Sequence, residues 1–448
     1  MRPREHTTGR RSAHRRSRTL ILITLLVLGV LGGQSAAFSA TRGGAASLPP
    51  YLADATDPAV TTLAADRGIS IHEAQRRIGW QGPASQLDQE LQQAASDRFG
   101  GLWIDEADGG RVKVGVVGGN TTAARALIER HNLAAVTDLV PVRYSYASLV
   151  AANASLGTAI ARANRGTAQG LGAALLVDRN QVELLLPLGQ RLTPTQQTLV
   201  DAAKQHLGLA LALGWWQGQI RRNTCAFSSK GSVDTFDCDP PLRGGVGLYH
   251  NVSSGKILCT AAFYAKSRSD GKPFIMTAGH CGVSGTGWSA FQPRDGTFHV
   301  VGPMHHSKDA GNDDYGIIAI NNPSGWNPQP WVYVHASSST TKNESYPING
   351  DATSPVGTRV CMSGTISKTS CAPVEKVGIG ATGADPLGLA QADLCAVKGD
   401  SGSPIYSSKL ARGILKGQVT GTPHCQDALF QGIREAEKEL NVNVVFAS

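Results

Sequence analysis

Cysteine is confined to the second half of this 448-residue chain, and this placement constrains the fold more than any other feature of the sequence. An even number of cysteines confined to one half of a chain is typical of disulfides when the protein is exported, which the first forty residues indicate below. No Cys-x-x-Cys pair occurs, so a zinc site is not expected. The sequence therefore predicts two unlike halves, the second of them cross-linked. The eight residues are Cys225, Cys238, Cys259, Cys281, Cys361, Cys371, Cys395 and Cys425.

The first forty residues are typical of an export signal. Residues 1–18 hold seven Arg and one Glu, so they supply most of the formal net charge of +8. The apolar run "TLILITLLVLGVLGG" (19–33) is short for a membrane span and is followed by small residues. We predict a signal peptide over 1–40, by the general or the twin-arginine route. An uncleaved membrane anchor is the alternative. The rest of the chain is near neutral, which argues against a nucleic-acid surface.

The part from 41 to 222 is predicted to be a small α/β domain. Helical spacing or alternation occurs in the segments 69–80, 84–100, 111–119, 121–133, 135–145, 146–164, 171–189 and 193–207, in two rounds of strand, helix and strand. No acid-base cluster occurs there. An apolar joint (208–225) ends this part, and Arg221-Arg222 within it is a candidate processing site.

The part from 223 to 448 is predicted to be all-β. Short apolar or alternating runs such as "PFIMTAGH", "YGIIAI" and "GILKGQVTG" recur between clusters of Gly, Asn, Asp and Ser. Regular short strands with turn signals favour a sandwich or a barrel. One helical segment, "GIREAEKELNV" (432–442), follows near the end of the sequence.

Three stretches of this second half carry the chemistry. "IMTAGHCG" places His280 at a strand end, "GNDDYGIIAI" places Asp314 before an apolar strand, and "AVKGDSGSPIY" places Ser401 in a Gly-rich turn. A nucleophilic serine needs a base within hydrogen-bond reach and a carboxylate that orients the base. The backbone N–H groups of Gly399 and Ser401 could then hold an oxyanion. Each stretch is weak evidence alone, but the order His-Asp-Ser in these contexts is specific.

With these motifs, residues 241–448 resemble the chymotrypsin-like serine proteases, in the bacterial branch of streptogrisins and α-lytic protease. The resemblance implies two six-stranded antiparallel β-barrels with His280 as general base, Asp314 as the orienting acid and Ser401 as nucleophile. It implies the disulfides Cys259–Cys281, Cys361–Cys371 and Cys395–Cys425. Cys225 and Cys238 are expected to pair as well, although the family offers no counterpart. The preceding α/β part resembles the family's propeptide, a folding chaperone and inhibitor.

The sequence departs from the family pattern at three places. Ser403 stands where a second Gly is usual, and Met362 stands where an Arg usually pairs with the residue corresponding to Asp400. The strand that pairs with substrate has two candidate alignments. One is Lys416-Gly417-Gln418, and the other, which we prefer because Thr keeps a hydroxyl for Asp314, is Thr420-Gly421-Thr422.

Asp393 lies two residues before Cys395, where an acid in trypsin-like enzymes selects Arg or Lys. It is a candidate substrate-binding residue, and a solvated surface acid is the alternative. His305-His306 is interpreted as a solvated loop rather than a metal site, and no cofactor or metal is expected.

The sequence thus predicts a secreted, monomeric serine endopeptidase made as a zymogen, acting on polypeptides. The alternatives are a non-cleaving, protease-like binding module and a membrane-anchored surface protease.

Overall fold

The computed structural model describes residues 51–166, 170–216, 220–222, 225–227, 241–252, 255–292, 297–310, 313–334, 343–380, 388–419 and 425–447. The predicted signal peptide, Cys238 and the segment Thr420-Gly421-Thr422 lie outside the described residues, as do the side chains of Arg221, Arg222 and Cys225. In these ranges no helix combines the length and apolarity that a membrane crossing requires.

The N-terminal part combines helices with two small groups of strands. Its helices are α1 (Pro58–Arg67), α2 (Ile71–Gly79), α3 (Gln81–Ala94), α4 (Thr122–Arg130), α5 (Tyr146–Ala163) and α6 (Pro194–Leu207). Its strands are β1 (Phe99–Asp105), β2 (Arg111–Val117), β3 (Thr137–Val142), β4 (Gly172–Leu176), β5 (Gln181–Pro187) and β6 (Leu211–Trp216). Short 3₁₀ turns cover Ala134–Val136, Val177–Arg179 and Gly208–Ala210. Strands β1, β2 and β3 form one sheet.

Local signals explain why these helices begin where they do. The side chain of Ser70 accepts the N–H of Glu73 at the start of α2. At α6, Thr193 and Gln196 form a reciprocal capping box, which satisfies two backbone N–H groups that the helix leaves unpaired.

Two boundaries differ from the sequence prediction. The predicted helix over 84–100 was wrong at its end, because α3 stops at Ala94 and Phe99 already begins β1. The apolar joint after residue 208 contains strand β6.

The C-terminal part is dominated by strands. They are β7 (Ile220–Arg222), β8 (Cys225–Phe227), β9 (Gly247–Val252), β10 (Gly255–Thr260), β11 (Tyr264–Ser267), β12 (Pro273–Thr277), β13 (Gly287–Gln292), β14 (Thr297–Ala310), β15 (Asp313–Ala319), β16 (Trp331–Val334), β17 (Asn343–Pro347), β18 (Gly350–Asp351), β19 (Arg359–Gly364), β20 (Lys368–Gly380), β21 (Leu389–Ala392), β22 (Pro404–Ser407), β23 (Leu410–Val419), β24 (Ala428–Gly432) and β25 (Val442–Val444). A 3₁₀ turn covers Gly279–Cys281, and the helices are α7 (Pro323–Trp326) and α8 (Ile433–Leu440).

Most of these strands form two large sheets, and β16 and β17 form a separate two-stranded sheet. In the first, the order is β25-β11-β12-β15-β14-β13-β9-β10-β8, around a core that contains Trp288, Ile275 and Leu248. In the second, β19-β22-β23-β24-β21-β20 closes on itself because β19 also pairs with β20, which makes a barrel around Leu415 and Phe430. The part is therefore mostly β, as expected.

The N-terminal part joins the second sheet directly. Strand β4 pairs with β20, and β5 and β6 continue the sheet beyond it. Helices α1 and α3 contact the C-terminal part through polar side chains: Tyr346 Oη of β17 donates to Asp57, which caps α1, and Arg412 Nη1 of β23 donates to Ser85 of α3. Both halves of the chain thus contribute to one continuous sheet.

Candidate active site

Ser401 sits in a turn that only its glycine neighbour permits. Gly402 has φ +88°, and a Cβ there would lie 2.1 Å from Thr277 Oγ1 and 2.4 Å from the carbonyl oxygen of Thr260. The turn is held from two sides, because Thr260 N–H donates to Ser401 O at 2.7 Å and Gly402 N–H donates to Leu415 O at 2.9 Å. The sequence "GDSG" therefore fixes the serine between β10 and β23.

His280 follows strand β12 in the 3₁₀ turn Gly279–Cys281. A Cβ on Gly279 would lie 1.9 Å from the carbonyl oxygen of Lys308, so the backbone before the histidine can approach β14 only as glycine. Asp314 lies at the start of β15, and its side chain is fully buried.

The three predicted side chains form a connected chain of hydrogen-bonding atoms. His280 Nε2 lies 2.9 Å from Ser401 Oγ, and His280 Nδ1 lies 2.7 Å from Asp314 Oδ2. The backbone N–H of His280 also donates to Asp314 Oδ1 at 2.8 Å. The carboxylate thus contacts His280 at its backbone N–H and at Nδ1, and these two contacts orient the ring so that Nε2 faces Ser401. This geometry suits proton transfer from a serine hydroxyl to an imidazole.

The electrostatics of Asp314 favour its ionised form. Burial alone would raise its pKa, but the charges of His280 and Lys416 and the hydrogen bonds from His280 outweigh burial and lower the pKa. An ionised Asp314 can then accept the Nδ1–H of His280 and stabilise the imidazolium that proton transfer creates.

The carboxylate of Asp400 accepts hydrogen bonds from backbone N–H groups and a serine hydroxyl rather than from an arginine. Its Oδ1 accepts the backbone N–H groups of Ile366 and Ser367, at 2.8 and 3.2 Å. Its Oδ2 accepts the N–H of Val397 at 2.9 Å and the hydroxyl of Ser367. Burial still raises the pKa of Asp400 despite these hydrogen bonds.

Met362 lies in the apolar core of the barrel, and Lys398 is exposed. Sequence reasoning did not find Ser367, because nothing in its local context indicates that it lies beside a residue 33 positions away.

Ser403, which stands in place of the usual glycine, is fully buried, and its hydroxyl donates to the carbonyl oxygen of Asp400. Gly399 has φ +104°, a conformation that L side chains rarely adopt. The role of the Gly399 and Ser401 N–H groups as oxyanion donors stays a prediction.

Three disulfides join the expected partners: Cys259–Cys281, Cys361–Cys371 and Cys395–Cys425. The first ties the turn that carries His280 to β10. The pairing of Cys225 with Cys238 falls outside the described residues and stays a prediction.

The predicted substrate-binding residues are only partly described. Asp393 is exposed, its Oδ1 accepts the N–H of Asp427 at 3.0 Å, and its carboxylate lies within 4.8 Å of those of Glu375 and Asp427. Its role in substrate selection stays a prediction, as does that of Thr420, Gly421 and Thr422. Beside Asp314 the structure places Lys416 of the other candidate alignment, with Nζ 3.6 Å from Asp314 Oδ2.

Comparisons with known proteins relate this chain to bacterial serine proteases. No protein-family model matches this chain. Streptogrisin-C of Streptomyces griseus is 25% identical over 428 residues, which cover 94% of this chain and 80% of that protein. Serine protease 2 of Streptomyces fradiae is 30% identical over 191 residues, which cover 41% of this chain and 97% of that protein. Among solved structures, Thermobifida fusca protease A is 23% identical, with a TM-score of 0.35, over 46% of this chain and 98% of that one.

Proposed function

Because this chain belongs to the chymotrypsin-like serine proteases, in the bacterial branch of the streptogrisins, and is a serine endopeptidase, we propose that it cleaves peptide bonds through Ser401, His280 and Asp314. The observation that carries this assignment is the unbroken series of contacts from Asp314 Oδ2 through the His280 ring to Ser401 Oγ, at 2.7 and 2.9 Å.

In this mechanism Ser401 Oγ attacks the substrate carbonyl carbon while His280 Nε2 takes the hydroxyl proton. The tetrahedral oxyanion is held by the N–H groups of Gly399 and Ser401, each worth about 3 kcal/mol. When the C–N bond breaks, His280 returns the proton to the leaving amine and an acyl-serine remains. Water, deprotonated by the same imidazole, then hydrolyses the ester and regenerates Ser401.

We also propose that the full chain is a zymogen. The side chains of Ser401 and His280 are both fully buried, which supports a form that is closed to substrate. Strands β7 and β8, which follow the N-terminal part, pair with the two strands that hold the turn of Ser401. The backbone of β7 pairs antiparallel with Gly417–Val419 of β23, and the backbone of β8 pairs antiparallel with Lys256–Leu258 of β10.

The ends of these two strands motivate a maturation site. Strand β7 ends at Arg222 and β8 begins at Cys225, with Asn223 and Thr224 between them in the sequence. These strands pair with β23 and β10, which hold the turn of Ser401 through Leu415 and Thr260. The proposed cut is one of the three peptide bonds between Arg222 and Cys225. We propose that the enzyme cleaves itself there.

Removal of residues 41–222 would leave 223–448 as the mature protease, which we propose to consist of two six-stranded barrels with the triad between them. The removed part would act as chaperone and inhibitor, supported by its strand pairing with the barrel through β4 and β20. We propose secretion by way of residues 1–40, with a retained anchor as the alternative, and peptide substrates for a monomeric enzyme.

The test uses the secreted protein and its Ser401→Ala variant. Wild type should react with a fluorophosphonate probe at Ser401 and begin, by N-terminal sequencing, between residues 223 and 225. Ser401→Ala should keep residues 41–222, and it should be unlabelled and folded by circular dichroism. Ser403→Ala, which removes the neighbouring hydroxyl of the same turn, is the matched control and should still mature.

Substantial peptidase activity in Ser401→Ala would contradict the assignment of the nucleophile. A fully active wild-type chain that begins near residue 41 would contradict the zymogen instead.

A further inference from the structure

Lys416 is a buried cation beside the triad. It lies on β23 with its side chain 6% exposed, and its Nζ is 3.6 Å from Asp314 Oδ2 and 3.7 Å from Asp309 Oδ1. An ammonium loses most of its hydration at such a site, and this cost is offset only when carboxylates face it. Two carboxylates, those of Asp309 and Asp314, face the ammonium. These two ion pairs explain how β23 can carry a buried lysine at this position.

The other charged groups around Asp314 are neutralised or more distant. On β14, Lys308 pairs with Asp313 at 2.6 Å, and Asp309 faces Lys416. On β24, Gln431 Oε1 accepts the N–H of Asp314 at 3.3 Å, while its Nε2 donates to Glu435 of α8. Among the described groups, Lys416 is thus the cation that contacts the carboxylate of Asp314 apart from the imidazole itself.

The ammonium and the histidine share one carboxylate oxygen. Lys416 Nζ lies 3.6 Å from Asp314 Oδ2, and His280 Nδ1 lies 2.7 Å from the same atom. A positive charge at that distance in a buried site favours the negative charge of the carboxylate that orients the imidazole.

We propose that Lys416 is a positioning residue of this protease: held between Asp309 and Asp314, its ammonium keeps Asp314 ionised, so that the carboxylate can accept the Nδ1–H of His280 and hold the ring toward Ser401. A neutral side chain at the same place could fill the space but would not stabilise the charge of Asp314. This inference rests on the proposed triad and adds a role for a fourth side chain.

The consequence is a shift in the acid limb of activity. The charge of Lys416 helps to lower the pKa of Asp314, so in its absence the carboxylate takes up a proton at higher pH and the triad is lost earlier as the pH falls. For charges 3.6 Å apart at a partly compensated site, we expect the midpoint of the acid limb to move up by about one pH unit. At pH values well below the midpoint, a shift of this size corresponds to about a tenfold loss of kcat/KM relative to wild type. Near pH 9 the loss should largely disappear.

The test measures kcat/KM of mature enzyme on a peptide substrate from pH 4 to 9. Lys416→Met should raise the midpoint by about one pH unit, and Lys416→Arg, which keeps the charge, should leave it within about 0.3 unit. Lys308→Met is the matched control. It removes an equal charge from β14, where Lys308 pairs with Asp313 rather than with Asp314, and it should also leave the midpoint in place.

An unmoved midpoint in Lys416→Met, or a loss equal at every pH, would overturn the inference while leaving the triad intact. If Lys416→Met does not mature, Asp309→Asn replaces it. That variant frees Lys416 from its second carboxylate and should move the midpoint down, and an unmoved midpoint there would overturn the inference equally. Failure of the proposed function would look different, because wild type would then show no acid limb or Ser401→Ala would retain activity.

Discussion

Asp88 shows how one buried carboxylate can set the stability of the N-terminal part. It lies on α3, is 8% exposed, and its Oδ2 accepts Gln92 Nε2 at 2.9 Å. Burial outweighs this hydrogen bond and raises the pKa of Asp88 to about 7. Since the folded state holds its proton more tightly than the unfolded chain does, this carboxyl's contribution to stability is full below pH 4 and is lost as the pH rises toward 7.

We therefore expect Asp88→Asn to raise the melting temperature of the Ser401→Ala zymogen at pH 8 by about 5 °C and to leave it nearly unchanged at pH 4. Asp97→Asn, at a side chain 78% exposed, is the control and should shift neither value. Thermal melts followed by circular dichroism at both pH values measure this. An equal gain at pH 4 and pH 8 would mean that amide packing, rather than charge burial, is responsible.

At the residue scale, the sequence predicted what short motifs specify and missed what packing brings together. Ser401, His280 and Asp314 each stand in a local context, a turn or a strand end, that has its own reason to place the side chain. Ser367 and Lys416 do not: one reaches Asp400 and the other reaches Asp314 only because separate strands pack side by side. The ambiguity between residues 416–418 and 420–422 had the same origin, since spacing along one strand does not reveal which residue faces a distant carboxylate.

Helix α1 meets the protease part through its own cap. Asp57 Oδ1 accepts the N–H of Ala59 at 2.8 Å, and Oδ2 accepts the hydroxyl of Tyr346 at 2.7 Å. Asp57 is 1% exposed, so one side chain both starts the helix and joins the two halves of the chain. Removing it would leave the buried Tyr346 hydroxyl without its acceptor and the helix without its cap, for a cost of about 2 kcal/mol or more.

Asp57→Ala in a separately made 41–222 fragment should therefore weaken inhibition of the mature enzyme by about thirtyfold. The mature enzyme is identical in both assays, so its own stability does not enter. The control is Asp54→Ala, three residues before Asp57. It removes an exposed ion pair with Lys409 and should change the inhibition constant less than threefold. Equal inhibition by Asp57→Ala and wild-type fragments would show that α1 does not contribute to the complex.

At the scale of elements, strands with mixed surroundings were the hardest to predict. Strand β1 reads "FGGLWID", and its glycines interrupt any alternation, so the preceding helix was extended over it. Strand β6 lies in an apolar run in which Leu213 and Trp215 are exposed, so periodicity gave no sign of a face. Helices with capping signals, such as α6, were predicted nearly to the residue because the cap is a local property.

The whole molecule is built from contacts between distant parts of the chain. Strand β25 at the C-terminal end pairs with β11 in the first sheet, and β23 contacts both β7 and β24 in the second. Such pairing requires long loops to close before any contact is gained, so the protease part should fold slowly by itself. The N-terminal part supplies β4, which pairs with β20, a strand of the closed barrel.

This arrangement predicts how the protease part reaches its native state. A preformed edge such as β4 can hold β20 in register while the barrel closes, so denatured residues 223–448 should regain activity far faster when the 41–222 fragment is added. The same contacts exist in the finished molecule, so an excess of the fragment should inhibit the refolded enzyme. The assay is refolding with and without the fragment, followed by peptidase measurement after dilution. A fragment carrying Leu175→Pro, which disrupts β4 where it pairs with Val377, should rescue folding less than wild type, and equal recovery in all tubes would refute the chaperone role.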